Sequence, residues 1–490
     1  MLPPLNQRGG PASALRMLLL ASLPVLLGAC ASFSKDGGIG PVQDAARQHL
    51  GQELQLAKSP AEQSRLQQRV AELLAKELTA DSAVQIALFN NPGLQGAFHD
   101  LGLAEADLVQ AGRWPNPHFS FGKSRQGDER EIDRGLSFDL ARLIAMPLSV
   151  QLEQRRFAAV QTGLTQQMLA LAAETKKAFY AAVAAEQTLR YQRDVKAAAD
   201  AGGLLAQRLA QVGNFSKLEK MREQNLALEA KLGLVRAERA QLAARERLTR
   251  LLGLTGPIVQ VAPAASAASS APAFTLPSRL PDLPQQLRQP QGLESQAFAQ
   301  RLDVQAARLQ AEATAKNLGL SQVTRFVNVL EFGLSNATSN EAPRKTGWEV
   351  SLELPLFDWS GARVAKAEAL YMQSLQRAAQ TGVEARSELR EAFEAYRSSY
   401  EIARHYRDEM VPMAKQVSEE NLLRYNGMFI SVFELLADAR VQIGTVNAAI
   451  EAQRDFWLAQ ADLDMALIGK PSLAQASPAA TAAAGAAPAH

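Results

Sequence analysis

Twice along this chain, a pair of short stretches with apolar residues at alternate positions runs into a long run of helix formers that ends in almost the same turn. In the first copy Phe119 and Phe121 alternate with His118, Ser120 and Gly122. Leu136, Phe138 and Leu140 then alternate with Ser137 and Asp139, and the polar segment KSRQGDEREID lies between the two runs. Period-2 runs joined by a polar turn predict a β-hairpin. From Pro147 to about Val212 no further proline occurs, which predicts one helix roughly 98 Å long at 1.5 Å per residue. A helix of that length cannot belong to an ordinary compact domain. The turn RLAQVGNFSKLEK begins at Arg208, and a second helix runs from about Ser216 to Leu252.

The same programme restarts after a Pro/Ala/Ser-rich connector at 257–293. QRLDVQAARL stands where the first copy has NNPGLQGAFH, and FVNVLEFGLS and WEVSLELPL predict a second hairpin. In its last strand Trp348, Val350, Leu352 and Leu354 share one face and Glu349, Ser351 and Glu353 the other. A helix from Gly361 to Tyr425, kinked at Pro412, leads to the turn RYNGMFISVFELLADAR at Arg424 and a last helix to about Ile468. Repeat 1 covers 79–256, with strands about 117–123 and 135–141 and its tip about 212–216. Repeat 2 covers 294–469, with strands about 327–335 and 347–355 and its tip about 425–431, and a low-complexity tail at 470–490 is expected to be disordered. The fold class is therefore mainly α with a small β part, a duplicated unit of helix, β-hairpin, long helix and helix. At each tip a glycine, Gly213 or Gly427, stands where a left-handed residue ends a helix, and Ser216 or Ser431 stands where the returning helix needs an N-cap.

The single cysteine, Cys30, excludes an intrachain disulfide. Arg8 and Arg16 precede an apolar run from Met17 to Leu27, and LGAC follows. A basic start, a short apolar core and small residues describe a secretory signal, too short to span a bilayer. Leu27-Gly28-Ala29-Cys30 resembles the bacterial lipoprotein processing box, which implies a signal peptide at 1–29 and a lipidated Cys30 opening a tether and helical segment at 30–78. An ordinary signal peptide with an accidental cysteine is the alternative.

Composition removes other classes. The formal net charge is +2, which offers no nucleic-acid surface. The histidines at 49, 99, 118, 405 and 490 are scattered, and the chain contains no phosphate-binding glycine loop, nucleophile elbow or zinc-helix motif. No enzyme, cofactor or metal site is expected. Met410, Met413 and Met428 near His405 are thioethers of the kind that bind Cu(I), but methionine more often fills gaps in a helical seam.

The strands decide the environment. Alternation alone fits a half-buried soluble sheet or a membrane barrel strand that is apolar toward lipid and polar toward a wet lumen. Helices this long cannot fold back to cover so small a sheet. Four strands cannot close a barrel, bilayer barrels begin at about eight strands, and open edges are not tolerated in hydrocarbon. Several chains must then share one barrel, and eight or twelve strands would both satisfy this argument.

LTADSAVQIALFNNPGLQGA, QAGRWPNPHFSFG, QRLDVQAARLQAEA, WEVSLELPLFDWSGAR and the paired tips, in this order and duplicated, resemble the TolC-like outer-membrane efflux family, in its lipoprotein branch, over roughly residues 79–469. The resemblance implies a homotrimer whose α-helical tunnel crosses the periplasm below a shared twelve-stranded transmembrane β-barrel. It implies an outer-membrane location with a lipid anchor, and as partners outer-membrane lipid, a periplasmic adaptor (membrane fusion) protein and an inner-membrane efflux pump of the RND type, but no nucleic acid. It places adaptor contacts at the tips, on Gly213, Asn214, Phe215 and Ser216 and on Tyr425, Gly427, Met428, Phe429 and Ser431. It places a gate at Arg424, Glu434 and Asp438, with three copies of Glu434 forming an anionic ring and Arg424 pairing with an acid on a neighbouring helix. The first tip, with Lys217 and Lys220 around Glu219, departs from that pattern. Lipid-facing residues are Leu136, Phe138, Leu140, Val350, Leu352 and Leu354. The rival reading is a periplasmic adaptor or coiled-coil scaffold lipoprotein, which would carry one helical hairpin flanked by soluble β-domains where this chain carries two hairpin units.

Overall fold

The computed structural model describes residues 32–57, 59–213, 215–254, 274–323, 330–352 and 361–472. The expected signal and Cys30, Asn214 at the first tip, residues 257–273 of the connector, Leu354 and the tail beyond 472 lie outside the described residues. The chain divides into two compact units, one formed by residues 1–40, 99–161 and 306–379 and the other by 41–98, 162–305 and 380–490. Neither coincides with a sequence repeat, because each unit takes segments from both.

The first unit owes its composition to strand pairing. In chain order its elements include helix α1 (Pro92–Ala111), strands β1 (His118–Gln126) and β2 (Glu129–Asp139), helix α2 (Leu140–Gln211), helix α3 (Leu302–Val323), strands β3 (Leu330–Ser339) and β4 (Lys345–Leu352), and helix α4 (Gly361–His405). The long helices begin or end here and continue into the second unit. The two hairpins form one four-stranded sheet in the order β1-β2-β3-β4, all neighbours antiparallel. The segments expected as polar loops are largely strand. β1 and β2 run to the two-residue turn Gly127-Asp128, and β3 continues through Ser339. Polar side chains at alternate positions do not interrupt a ladder, since the backbone makes the pairing bonds.

Leu140 is a correction. It is the first residue of α2 rather than part of the strand, because the Asp139 carboxylate accepts a 2.9 Å hydrogen bond from the Arg142 backbone N–H and caps a helix there. At 72 residues α2 is longer than expected, about 108 Å if straight, and holds Pro147 two turns from its start. Arg155 on α2 pairs with Glu312 on α3 at 2.9 Å, and Thr314 on α3 shares a 2.7 Å hydrogen bond with Ser374 on α4.

The second unit is helical. Helix α5 (Lys217–Leu251) returns antiparallel after α2, and α6 (Val411–Asn426) and α7 (Val432–Ile468) complete the second hairpin. Phe179 and Tyr180 of α2 meet edge to face, Tyr180 stacks on Trp457 of α7 at 5.1 Å, and Leu248 and Leu252 at the end of α5 are fully buried beside them. The aligned motifs NNPGLQGAFH and QRLDVQAARL do corresponding work. Asn91 donates to the Leu251 carbonyl at 3.0 Å and Asn90 to that of Gly253 at 2.8 Å, which satisfies the otherwise unpaired carbonyls at the end of α5. Arg301, 1% exposed, donates to the Ala466 carbonyl of α7 at 3.2 Å and pairs with Asp303 and Glu388, each at 2.6 Å.

The kink at Pro412 takes a defined form. A single π-helical turn, Tyr406–Met410, separates α4 from α6, and the Val411 N–H reaches back to the Tyr406 carbonyl. Proline offers no N–H to the carbonyl four residues earlier and its ring crowds it. The wider turn just before Pro412 accommodates both.

Candidate functional site

The two helical tips are built by the same local chemistry. At the first, α2 ends at Gln211, Gly213 takes φ +80°, and its N–H bonds the Ala210 carbonyl at 3.3 Å. The Ser216 hydroxyl accepts from the Glu219 N–H and the Glu219 carboxylate accepts from the Ser216 N–H, a capping box that starts α5. That backbone hydrogen bond holds the Glu219 carboxyl below the usual glutamate range. At the second tip Ser431 and Glu434 make the same box at 3.4 and 3.3 Å. The first tip therefore does not depart from the second at this position, despite its flanking lysines.

The glycines are not equivalent. Gly427 has φ −81°, and the left-handed residue at the second tip is Met428, φ +61°. The Phe429 N–H bonds the Arg424 carbonyl and the Met428 N–H bonds the Tyr425 carbonyl, both at 2.9 Å, which is a Schellman termination with methionine at the left-handed position. Gly427 has another use. A Cβ there would stand 2.8 Å from the Phe429 ring, which folds back over it. Met428 thus takes the role of Gly213, and Ile430 that of Phe215. Phe429 is 84% and Met428 93% exposed, whereas Phe215, Tyr425 and Ile430 are half-buried.

The expected gate residues lie near this tip but are engaged locally. Glu434 is exposed and occupied by its capping box. Arg424 pairs with Glu420 on its own helix at 3.4 Å, where one turn of spacing brings the two side chains together. Asp438 accepts from the Asn421 side chain and ties α7 to α6. One carboxylate that sequence reading passed over is Glu223 of α5. It is 4% exposed, its Oε2 has no hydrogen-bond partner, and it lies against Gly202 of α2, where a Cβ would sit 3.1 Å from that oxygen. Burial pushes its carboxyl up, and Arg440 on α7 opposes the shift. In the sequence, the buried Ala230 and Ala237 at the following heptad positions were the available hint.

Met410 and Met413 are exposed, and His405 pairs with Glu409 at 3.2 Å. Among the described residues no group of three or more His, Cys, Asp or Glu side chains is placed to hold a metal ion. Among them, too, no helix is long and apolar enough to cross a membrane.

The register defines the sheet's two faces, since directly paired residues share a side. Phe119, Leu136, Leu334 and Trp348 form one continuous rung, and Phe138, Phe332 and Val350 form the next. In the register Leu352 is the partner of Leu330. The opposite face carries Ser120, Gly135, Ser335 and Gly347, then Ser137, Gly333 and Glu349, then Asp139, Glu331 and Ser351. Trp348 is 72% and Phe119 63% exposed, so no described residue covers the apolar side there. Both edge strands, β1 and β4, keep an unpaired side.

Solved structures of outer-membrane channels share this fold. The structure of the outer membrane protein VceC from Vibrio cholerae is similar with a TM-score of 0.65 at 16% identity, over 84% of this chain and 99% of that one. The Campylobacter jejuni outer membrane channel CmeC gives 0.68 at 16% identity, over 79% and 85%. The open-state Neisseria gonorrhoeae outer membrane channel MtrE gives 0.63 at 19% identity, over 79% and 88%. Residues 83–254 match the family model described as outer membrane efflux protein, and no curated protein matches the chain. That match lies within the first repeat, and the solved structures share the fold of the chain.

Proposed function

We propose that three copies of this chain form a passive outer-membrane conduit from the periplasm to the exterior, the outer component of a tripartite efflux pump. One observation carries the reading: an amphipathic four-stranded sheet with an uncovered apolar face and two open edges. Its strands alternate in direction, so β4 of one copy meets β1 of the next antiparallel, and a ring of copies closes without a free edge. Three copies give the twelve strands that the family resemblance implies. The test is extraction: the full-length protein is expected to stay in the outer-membrane fraction through an alkaline wash and to run in detergent with the mass of three chains. A monomer released by the wash would overturn the proposal.

In this reading Cys30 carries lipid and supplements the barrel as an anchor, each buried CH₂ contributing about 0.8 kcal/mol. Cys30→Ser is expected to lose palmitate labelling and retain a functional channel. The tips dock the helical hairpin of a periplasmic adaptor, which an RND-type inner-membrane pump then joins. The exposure of Met428 and Phe429 supports this, since apolar anchors suit helix-in-groove recognition. Glu434, Arg424 and Asp438 stand near the closed mouth. Glu434→Ala is expected to weaken cation preference in bilayer recordings and Arg424→Ala to raise resting conductance; parent-like currents from both would move the gate elsewhere.

A further inference from the structure

The register sorts charge as sharply as it sorts apolarity. Towards the turn end of the sheet, the face that bears the aromatic rungs continues with Lys123, Arg125, Arg130 and Arg134. No described strand residue on that face is acidic. The carboxylates Glu129, Glu131, Asp133, Glu331 and Glu349 all point to the other face, where Lys345 also stands. A strand shifted by one residue would have put Glu131 among the cations, because a one-residue slip exchanges faces. Instead Arg125 lies directly opposite Arg130, an arrangement that destabilises a ladder unless an anion intervenes.

No described residue supplies that anion. Lys123, Arg125, Arg130 and Arg134 are exposed, and among the described residues none of them makes an ion pair. Arg125 instead donates through Nε to the Gly127 carbonyl at 2.9 Å, which holds its guanidinium at the turn. A neighbouring copy cannot supply one from its strands either, since it would present the same acid-free face. We propose that this basic girdle binds the phosphate groups of outer-leaflet lipid headgroups. The inference rests on the barrel reading, in which the aromatic rungs face hydrocarbon. The strand end at Asp139 runs straight into a helix, so the turn end is the one that points out of the cell. Same-face rungs are about 6.7 Å apart along a strand, so the cations begin one to two rungs above the last all-apolar rung. That is headgroup level. Guanidinium forks match phosphate oxygens bidentately, which favours this ligand over a diffuse negative surface.

The test uses the full-length protein purified in detergent and native mass spectrometry. The probes are diphosphorylated lipid A, its monophosphorylated form and phosphatidylethanolamine, with inorganic phosphate as competitor. Each cation at an anionic lipid surface is worth about fivefold in affinity, so the double variant R125Q/R130Q is expected to bind diphosphorylated lipid A about thirtyfold more weakly. R125K/R130K, which keeps the charge, should retain most of the binding, and Glu131→Gln, on the other face, all of it. Undiminished binding by R125Q/R130Q overturns the lipid site. Displacement of the lipid by equimolar inorganic phosphate also overturns it, as the site would then hold a free anion. If the parent chain itself washes out of membranes, the barrel reading falls together with the site. Normal insertion with lipid binding indifferent to the arginines removes the site alone.

Discussion

Val350→Arg and Ser351→Arg put the same charge on adjacent residues of one strand and should have opposite consequences. Val350 pairs with Phe332, next to Phe138, on the uncovered apolar face. An arginine there, at bilayer depth, costs about 2–4 kcal/mol per chain. Three chains in one barrel raise this to about 6–12 kcal/mol, comparable with the whole stability of a typical folded protein at about 5–15 kcal/mol. Ser351 pairs with Glu331 on the opposite face, two positions from Glu349. An arginine there meets a carboxylate across the strand and gains up to about 1 kcal/mol. The assay is the amount of trimer on a gel of unheated membranes, together with retention in the alkaline-washed outer-membrane fraction. Val350→Arg should abolish most of the trimer, and Ser351→Arg should leave it at the parental level. Equal outcomes in either direction would refute the face assignment and with it the membrane sheet.

Three further outcomes follow from unit-two geometry. Arg301→Ala leaves Asp303 without its cation and Glu388 with Lys470 alone, at 3.7 Å, beside the end of α7 and should cost about 3–5 kcal/mol, read as a lowered thermal unfolding midpoint. Gly427→Ala should displace the exposed Phe429 ring at a cost in stability within about 0.5 kcal/mol, yet weaken binding of the cognate adaptor's helical hairpin; unchanged binding would show that the ring's placement is not used. Glu223 has a folded-state carboxyl above its unfolded value, so the folded state holds the proton more tightly. Its contribution to stability is present at low pH and is lost as pH rises from the ordinary glutamate range through the raised folded value. Glu223→Gln should remove that slope and raise the unfolding midpoint at neutral pH.

The duplication, the two hairpins, the long helices and both Ser-x-x-Glu capping boxes were legible in the sequence because each is written in local chemistry. Period 2 reports a strand face, an unbroken run of helix formers reports a long helix, and a capping box joins residues three apart. What required tertiary structure was every feature set by partners distant in sequence. The pairing of β2 with β3 fused the two hairpins into one sheet and divided the chain across its repeats. Asp139 turned Leu140 from a strand residue into the start of a helix, a competition between two local signals that the alternation alone had awarded to the strand. The tip glycines matched in sequence but not in role, since Gly427 makes room for a ring while Met428 carries the left-handed turn. Arg301 and Glu223 look like surface charges until helices from elsewhere in the chain bury them. The same holds for the basic girdle: Lys123, Arg125, Arg130 and Arg134 read as loop residues in the sequence, and only the strand register, which assigns alternate residues to opposite faces, gathered them above the aromatic rungs and kept every strand carboxylate on the far side.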